Sequence, residues 1–278
     1  MGMRLEGVTH SYPLGPSAGS HALEGVGFTL ERGELVLVMG PAGSGKSTLL
    51  RIAAGLIRPT AGTVRVDGVD PGAKEASPGV VGMVFQSPER QLFADSVLDD
   101  VAFGPGNLGR GAEALADARR ALEAVGLVAQ DVERRSPFSL SGGEARRVAI
   151  AGVLAMSCPY ILMDEPTAGL DAAGRAAVRS AITGARSEAG VAVVTHDPEE
   201  LLDIADGVLL LKEGRVVHQG AVSDTLTTPS IFARADLEPP GLIQLQSLAA
   251  ERPGHAFEPT LDPGAVASAL LATVGRMP

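Results

Sequence analysis

The chain has 278 residues, enough for one or two domains of ~150 residues with a buried core. Apolar residues make up 45% and charged residues 20%, which excludes wholesale disorder. Its 23 Lys and Arg against 33 Asp and Glu leave a net charge of −10, so nucleic acid is not an expected partner. The single cysteine, Cys158, rules out an internal disulfide and a multi-cysteine metal site, fits a reducing cytoplasm, and reads as a small core residue. No apolar run approaches the ~20 residues that span a bilayer. The opening MGMRLEGVTH lacks an apolar h-region and the serine or threonine of a myristoylation signal.

Taken in chain order, short β-branched runs alternate with helical runs over residues 1–225. That is the pattern of an α/β fold with a largely parallel sheet. Residues 13–20 are expected to form a loop or hairpin tip. Strands are expected at Leu35–Met39, Thr63–Asp67, Val80–Phe85, Tyr160–Met163, Val191–Thr195, Val208–Leu211 and Arg215–His218. Leu35–Met39 and Tyr160–Met163 are continuously apolar, as strands buried on both faces should be. Helices are expected at Lys46–Ala54, Glu113–Val125, Glu144–Met156, Ala172–Glu188 and Pro198–Ile204. The last opens with Asp197 as N-cap, proline at the first helical position and an acid three residues on. Between Gln86 and Pro159 the strand pattern vanishes, which predicts a helical insertion at about 87–158. Past Thr227 prolines punctuate short apolar stretches, so 228–278 reads as a small helical appendix to a main unit spanning 1–227. Asp262-Pro263 would start its helix, running to about Val274.

The segment Gly40-Pro41-Ala42-Gly43-Ser44-Gly45-Lys46-Ser47, continued by Thr48, fits G-x-x-x-x-G-K-[ST] between an apolar strand and a helix. Its glycines let backbone amides wrap phosphates, and the helix N-terminus adds positive potential. Lys46 would reach the β- and γ-phosphates, and the Ser47 hydroxyl would ligate Mg²⁺. The strand Tyr160–Met163 ends in Asp164-Glu165, which would deliver two carboxylates beside the phosphate loop. Asp164 would hold Mg²⁺ and Glu165 would orient the attacking water. Leu140-Ser141-Gly142-Gly143-Glu144 reads first as a capping box, with Ser141 as N-cap. A capped helix end behind two glycines is also an anion site. Because the chain already has its own phosphate loop, this second site points to service of another subunit.

These motifs, with Ala168-Gly-Leu-Asp171 and His196, occur in the order of the ATP-binding-cassette ATPases, which residues 3–225 resemble. The resemblance implies a P-loop NTPase (RecA-like) core with an added antiparallel β part. It also implies a head-to-tail dimer in which each ATP lies between one subunit's phosphate loop and the other's LSGGE. Tyr12 matches the aromatic that stacks on adenine. Gln86 matches the glutamine that joins the Mg²⁺ and water shell and links to the transport partner. Asp171 matches the loop contacting the opposite subunit, and His196 the switch histidine near the γ-phosphate. A soluble cassette acting on DNA or ribosomes is disfavoured by the single cassette, the acidic balance and the lack of a heptad run.

Val84-Phe-Gln-Ser-Pro-Glu-Arg-Gln-Leu-Phe93, Val97–Gly109 and Ser136–Met156 are similar to the energy-coupling-factor (ECF) transporter ATPases, particularly their second paralogue. Glu144 stands where glutamine is common in that family, and it should still cap the helix. The resemblance implies an importer of a vitamin or transition-metal ion. Two ATPase subunits, identical or paralogous, would sit at the cytoplasmic face of the cell membrane, under a coupling subunit and beside a substrate-capture subunit. Glu89, Arg90, Gln91 and Phe93 are candidates for the partner-facing groove, with Leu92 and Phe93 as apolar anchors. The ATPase of another ABC importer or exporter is the alternative.

Overall fold

The computed structural model describes residues 2–12, 21–250, 260–262 and 264–268. Strands are β1 Gly2–His10, β2 Leu23–Glu31, β3 Leu35–Met39, β4 Ala61–Val66, β5 Val81–Val84, β6 Tyr160–Asp164, β7 Gly190–Val194, β8 Gly207–Lys212 and β9 Arg215–Ala221. Helices are α1 Lys46–Ala53, α2 Val97–Asn107, α3 Glu113–Ala124, α4 Ala129–Val132, α5 Gly142–Ala155, α6 Ala172–Arg186, α7 Val222–Thr227, α8 Ser230–Arg234 and α9 Gly241–Ala250.

The main sheet has the order β5-β6-β7-β3-β8-β9, parallel except for β9, which runs antiparallel to β8. The inner strands β3, β6, β7 and β8 are almost wholly apolar because both faces are covered, whereas the edge strand β9 carries Arg215, His218 and Gln219. Leu35, Leu37 and Met39 of β3 face the core shared with α5, α6 and the insertion, as do Ile161 and Met163 of β6. Val36, Val38, Tyr160 and Leu162 face the opposite core, where α1 and the small sheet pack. This period of two makes one sheet the shared wall of two cores.

The small sheet, β2-β1-β4, is antiparallel. Its strands β1 and β2 are not among those expected from the sequence. In β1 the register slips between Leu5 and Val8, around Gly7 in left-handed backbone (φ 59°), so the apolar alternation breaks. Between β5 and β6 the described residues hold helices and turns but no strand.

The expected helix over 198–204 shrinks to one 3₁₀ turn, Pro198–Glu200. Asp197 makes no side-chain cap. The acids that should have closed a capping box are engaged elsewhere: Glu199 Oε1 accepts from the Gly241 amide at 2.6 Å, and Glu200 pairs with Arg175 at 2.7 Å. At the tail, Asp262 Oδ1 accepts from the Gly264 amide at 2.8 Å and residues 264–268 are helical. The expected continuation to Val274 and the loop 13–20 lie outside the described residues.

Candidate nucleotide site

The phosphate loop leaves β3 at the C-terminal end of the parallel sheet and enters α1. Crevices at that end are the usual ligand sites of such sheets. Gly45, the residue preceding α1, sits at φ 102°. A side chain there would strike the Ala22 carbonyl, so both backbone angle and space demand glycine. No side chain caps α1, so its first amides stay available to an anion. Ser44 Oγ is buried without a hydrogen-bond partner. That orphaned donor inside the loop fits a phosphate ligand.

Lys46 Nζ donates to the carbonyls of Gly40 at 2.7 Å and Pro41 at 2.9 Å, which hold the ammonium at the loop's mouth. Burial pushes its pKa down, opposed by the charges of Glu165 and Asp164. Asp164, only 2% exposed at the end of β6, is pushed up by burial and pulled back by a hydrogen bond with Ser47. Ser47 and Asp164 thus meet, and Gln86 lines the same cleft. A hydroxyl, a carboxylate and an amide oxygen form a hard-oxygen set suited to Mg²⁺ shared with phosphates. Among the described residues no group of three or more His, Cys, Asp or Glu forms a metal site of its own.

Glu165 follows Asp164 in left-handed backbone, φ 53°, which is a strained conformation for a side chain of this kind. Three hydrogen bonds hold it there. Its amide donates to the Val194 carbonyl at 2.9 Å, and its carbonyl accepts from Arg146 Nη1 at 2.9 Å and from the Ala168 amide at 3.3 Å. Its carboxylate Oε1 meets His196 Nε2 at 2.9 Å.

One cleft of about 440 Å³ is lined by Tyr12, Ala42 to Thr48, Gln86, Glu165 and His196. Tyr12 OH is 3.3 Å from Thr48 Oγ1, and its ring meets His10 edge-on at 4.8 Å. His21 and Ala22, which sequence reasoning did not single out, line it too. Neither belongs to a motif that would mark it in the sequence.

Ser141, Gly142, Gly143, Glu144 and Asp171 do not line this cleft. Ser141 Oγ accepts from the Glu144 amide at 3.3 Å, while Glu144 Oε2 accepts from the Ser141 amide at 2.8 Å, completing the expected capping box of α5. Those bonds and Arg135, 2.9 Å away, pull the Glu144 pKa down to about 2. Asp171 caps α6, with Oδ1 accepting from the Gly174 amide at 2.8 Å.

The partner-facing candidates divide. Phe93 is 58% exposed and stacks edge-on with Phe103, 53% exposed, at 4.9 Å. Asp100 fixes this corner by accepting from the Phe93 and Ala94 amides at 2.7 and 2.8 Å. Arg90 and Gln91 are exposed. Leu92, expected as an anchor, is instead buried in the core, because the 3₁₀ turn Pro88–Gln91 rotates it inward. Glu89 faces Arg146 at 3.5 Å rather than open solvent.

Fold and cleft together define a P-loop nucleotide-binding protein. The family model described as ABC transporter matches residues 23–168. The Symbiobacterium thermophilum energy-coupling factor transporter ATP-binding protein EcfA2 is 44% identical over 86% of this chain and 83% of its own length. The Streptococcus thermophilus EcfA2 is 38% identical over 93% and 94%. Among solved structures, cbiO1 from Clostridium perfringens, part of the ABC transporter complex cbiONQ, superposes with a TM-score of 0.69 at 30% identity, covering 89% of this chain and 98% of that one. A dimeric ATP-binding cassette in a post-hydrolysis state with ADP and Pi gives 0.71 at 32% identity, covering 79% and 98%. The chain belongs to the ABC transporter ATPases, in their energy-coupling-factor branch. It is an ATPase.

Proposed function

We propose that this ATPase is the energy-coupling subunit of an ECF-type importer, driving uptake of a vitamin or transition-metal ion from the cytoplasmic face of the cell membrane. The carrying observation is the joint placement of the ATP cleft and the exposed Phe93–Phe103 pair, linked by the few residues after Gln86. The names of the relatives at 36–44% identity support the reading. The unit 1–227 holds the ATP machinery, with residues 87–158 as its helical part and 228–278 as an extension. No described helix is long and apolar enough to cross a membrane, so attachment runs through protein partners.

In this reading Tyr12 stacks on adenine, the amides of Gly40 to Thr48 cradle the phosphates, and Lys46 neutralises the β- and γ-oxygens. Ser47, Asp164 and Gln86 hold Mg²⁺, which offsets phosphate charge. Glu165 orients a water in line with the γ-phosphorus, and His196 steadies the Glu165 carboxylate and the γ-phosphate. The water oxygen bonds to phosphorus as the bond to the ADP oxygen breaks, and the water's proton leaves by way of Glu165 to the product phosphate. Ser141 to Glu144 and Asp171 lie outside the chain's own cleft, which supports their service to a second ATPase subunit in a head-to-tail pair. Dimer closure and reopening then move a membrane coupling subunit seated on Phe93 and Phe103, while a separate capture subunit holds the substrate.

Co-purification with a co-expressed coupling subunit tests the reading. Burial of a phenylalanine stabilises a contact by ~1.5–3 kcal/mol. Phe93→Asp is expected to weaken membrane recruitment about 10-fold or more, with ATP affinity unchanged in the detached protein. Wild-type recruitment and uptake by the mutant would move the docking surface elsewhere.

A further inference from the structure

Arg146 lies in the second turn of α5, the helix whose first turn is Gly142-Gly143-Glu144. It is 9% exposed, and its guanidinium makes three contacts. Nη1 donates to the Glu165 carbonyl at 2.9 Å, Nη2 donates to the Gln86 carbonyl at 2.6 Å, and Nε stands 3.5 Å from Glu89 Oε2. A buried cation with only one distant counter-charge is costly, and the two carbonyls supply the remaining compensation. Both carbonyls belong to residues whose side chains line the ATP cleft. One of them, Glu165, is in strained left-handed backbone. Arg146 supplies one of the three hydrogen bonds on the Glu165 backbone and the shorter of the two on its carbonyl, which also accepts from the Ala168 amide at 3.3 Å.

Within one subunit, therefore, a planar fork joins two places. One is the N-terminal end of α5, which on the dimer reading touches the partner's ATP. The other is the pair Gln86 and Glu165, which touches the chain's own ATP. A displacement of α5 by one turn or less shifts the guanidinium, and with it the backbone that aims the hydrolytic carboxylate. Helices transmit such displacements as rigid bodies. Arginine suits this role because its five donors are fixed in one plane, whereas a lysine ammonium would reach one carbonyl and leave the other without its donor.

We propose that Arg146 is a positioning residue that couples the two ATP sites of the dimer, so that engagement of α5 by the partner's ATP sets Glu165 and Gln86 for hydrolysis at the chain's own site. The inference rests on the head-to-tail reading. It predicts cooperative hydrolysis in the wild-type pair, with loss of cooperativity when the fork is lost.

The test uses the full chain, assembled with whichever ATPase subunit it pairs with, and compares wild type, Arg146→Lys and Arg146→Ala. The readouts are kcat, KM, the Hill coefficient for ATP, and nucleotide affinity of the isolated subunit. A Hill coefficient above about 1.5 is expected for wild type. Arg146→Lys, which keeps the charge and serves if the alanine variant fails to fold, is expected to lower kcat about tenfold. Its Hill coefficient should fall to about 1 while isolated-subunit affinity stays within about twofold. A role confined to stability would lower the folded fraction and leave the Hill coefficient in place. Wild-type cooperativity in a folded Arg146→Lys protein overturns the proposal, as does a non-cooperative wild-type pair. The dimer reading fails separately, if ATP induces no association in a Glu165→Gln protein. Association without an Arg146 effect condemns only the coupling.

Discussion

Two helix N-termini in this chain carry a serine and glycines, and they are finished in opposite ways. At α1 no side chain caps the helix, the preceding Gly45 is left-handed, and the loop opens into a cleft that also holds Glu165, His196 and Tyr12. At α5 the end is closed by the Ser141–Glu144 capping box and braced by Arg135, away from that cleft. The first helix needs its anion to satisfy its amides. The second is stable alone, and by helix geometry only the first-turn amides such as those of Gly142 and Gly143 are left for an outside acceptor. A self-sufficient helix end can be presented to another subunit without unravelling between encounters, whereas the phosphate loop can depend on the ligand it keeps.

The largest effect that would sharpen this contrast lies on the chemistry of the first site. Glu165→Gln is expected to cut turnover by ~10²-fold or more while ATP affinity stays within about twofold. Steady-state hydrolysis beside equilibrium binding checks it, and near-wild-type turnover would remove Glu165 from its role. Next comes Lys46→Ala. Charge-assisted hydrogen bonds contribute ~1.5–3 kcal/mol, so ATP binding itself should weaken about 10- to 100-fold. Unchanged nucleotide affinity in calorimetry would contradict the phosphate-loop assignment.

A smaller effect breaks the second helix end. Glu144 has its folded pKa lowered to about 2 by Ser141 and Arg135. A depressed carboxylate stabilises the fold above its unfolded pKa of about 4.3, and that contribution drains away as pH falls toward 2. Glu144→Gln removes the titration. It should cost below about 1 kcal/mol at pH 7, as exposed ion pairs do, with the gap closing as pH falls from about 4.3 toward about 2. Denaturant melts of both proteins across pH 2.5–7 give the answer; a gap independent of pH would mean that the charge of Glu144 does not contribute.

Much of this arrangement was legible in the residues. Continuous apolar runs marked β3 and β6, because strands covered on both faces have no polar side to show. The phosphate loop announced itself by glycine spacing between strand and helix, and the Ser141–Glu144 box by its own residues. What escaped were features decided by distant partners. The alternation of β1 is broken by a bulge that only its neighbours in the small sheet accommodate. The cap pattern at Asp197 failed because Glu199 and Glu200 are claimed by Gly241 and Arg175. Leu92 and Glu89 were assigned outward, yet the intervening 3₁₀ turn directs them to the core and to Arg146. Arg146 and Arg147 are adjacent and chemically alike, so no local signal tells which one is buried between Gln86 and Glu165.

The most direct test of the contrast between the two helix ends is the mass of the ATP-bound assembly. In a Glu165→Gln background, with its pairing ATPase subunit present, ATP should convert monomers to dimers in light scattering coupled to gel filtration. Adding Ser141→Arg to both subunits places bulk and positive charge where the partner's γ-phosphate would lie, and should abolish the dimer while each monomer binds ATP as before. A dimer that forms equally well with Ser141→Arg would contradict the account and leave the Ser141–Glu144 segment as a helix cap alone.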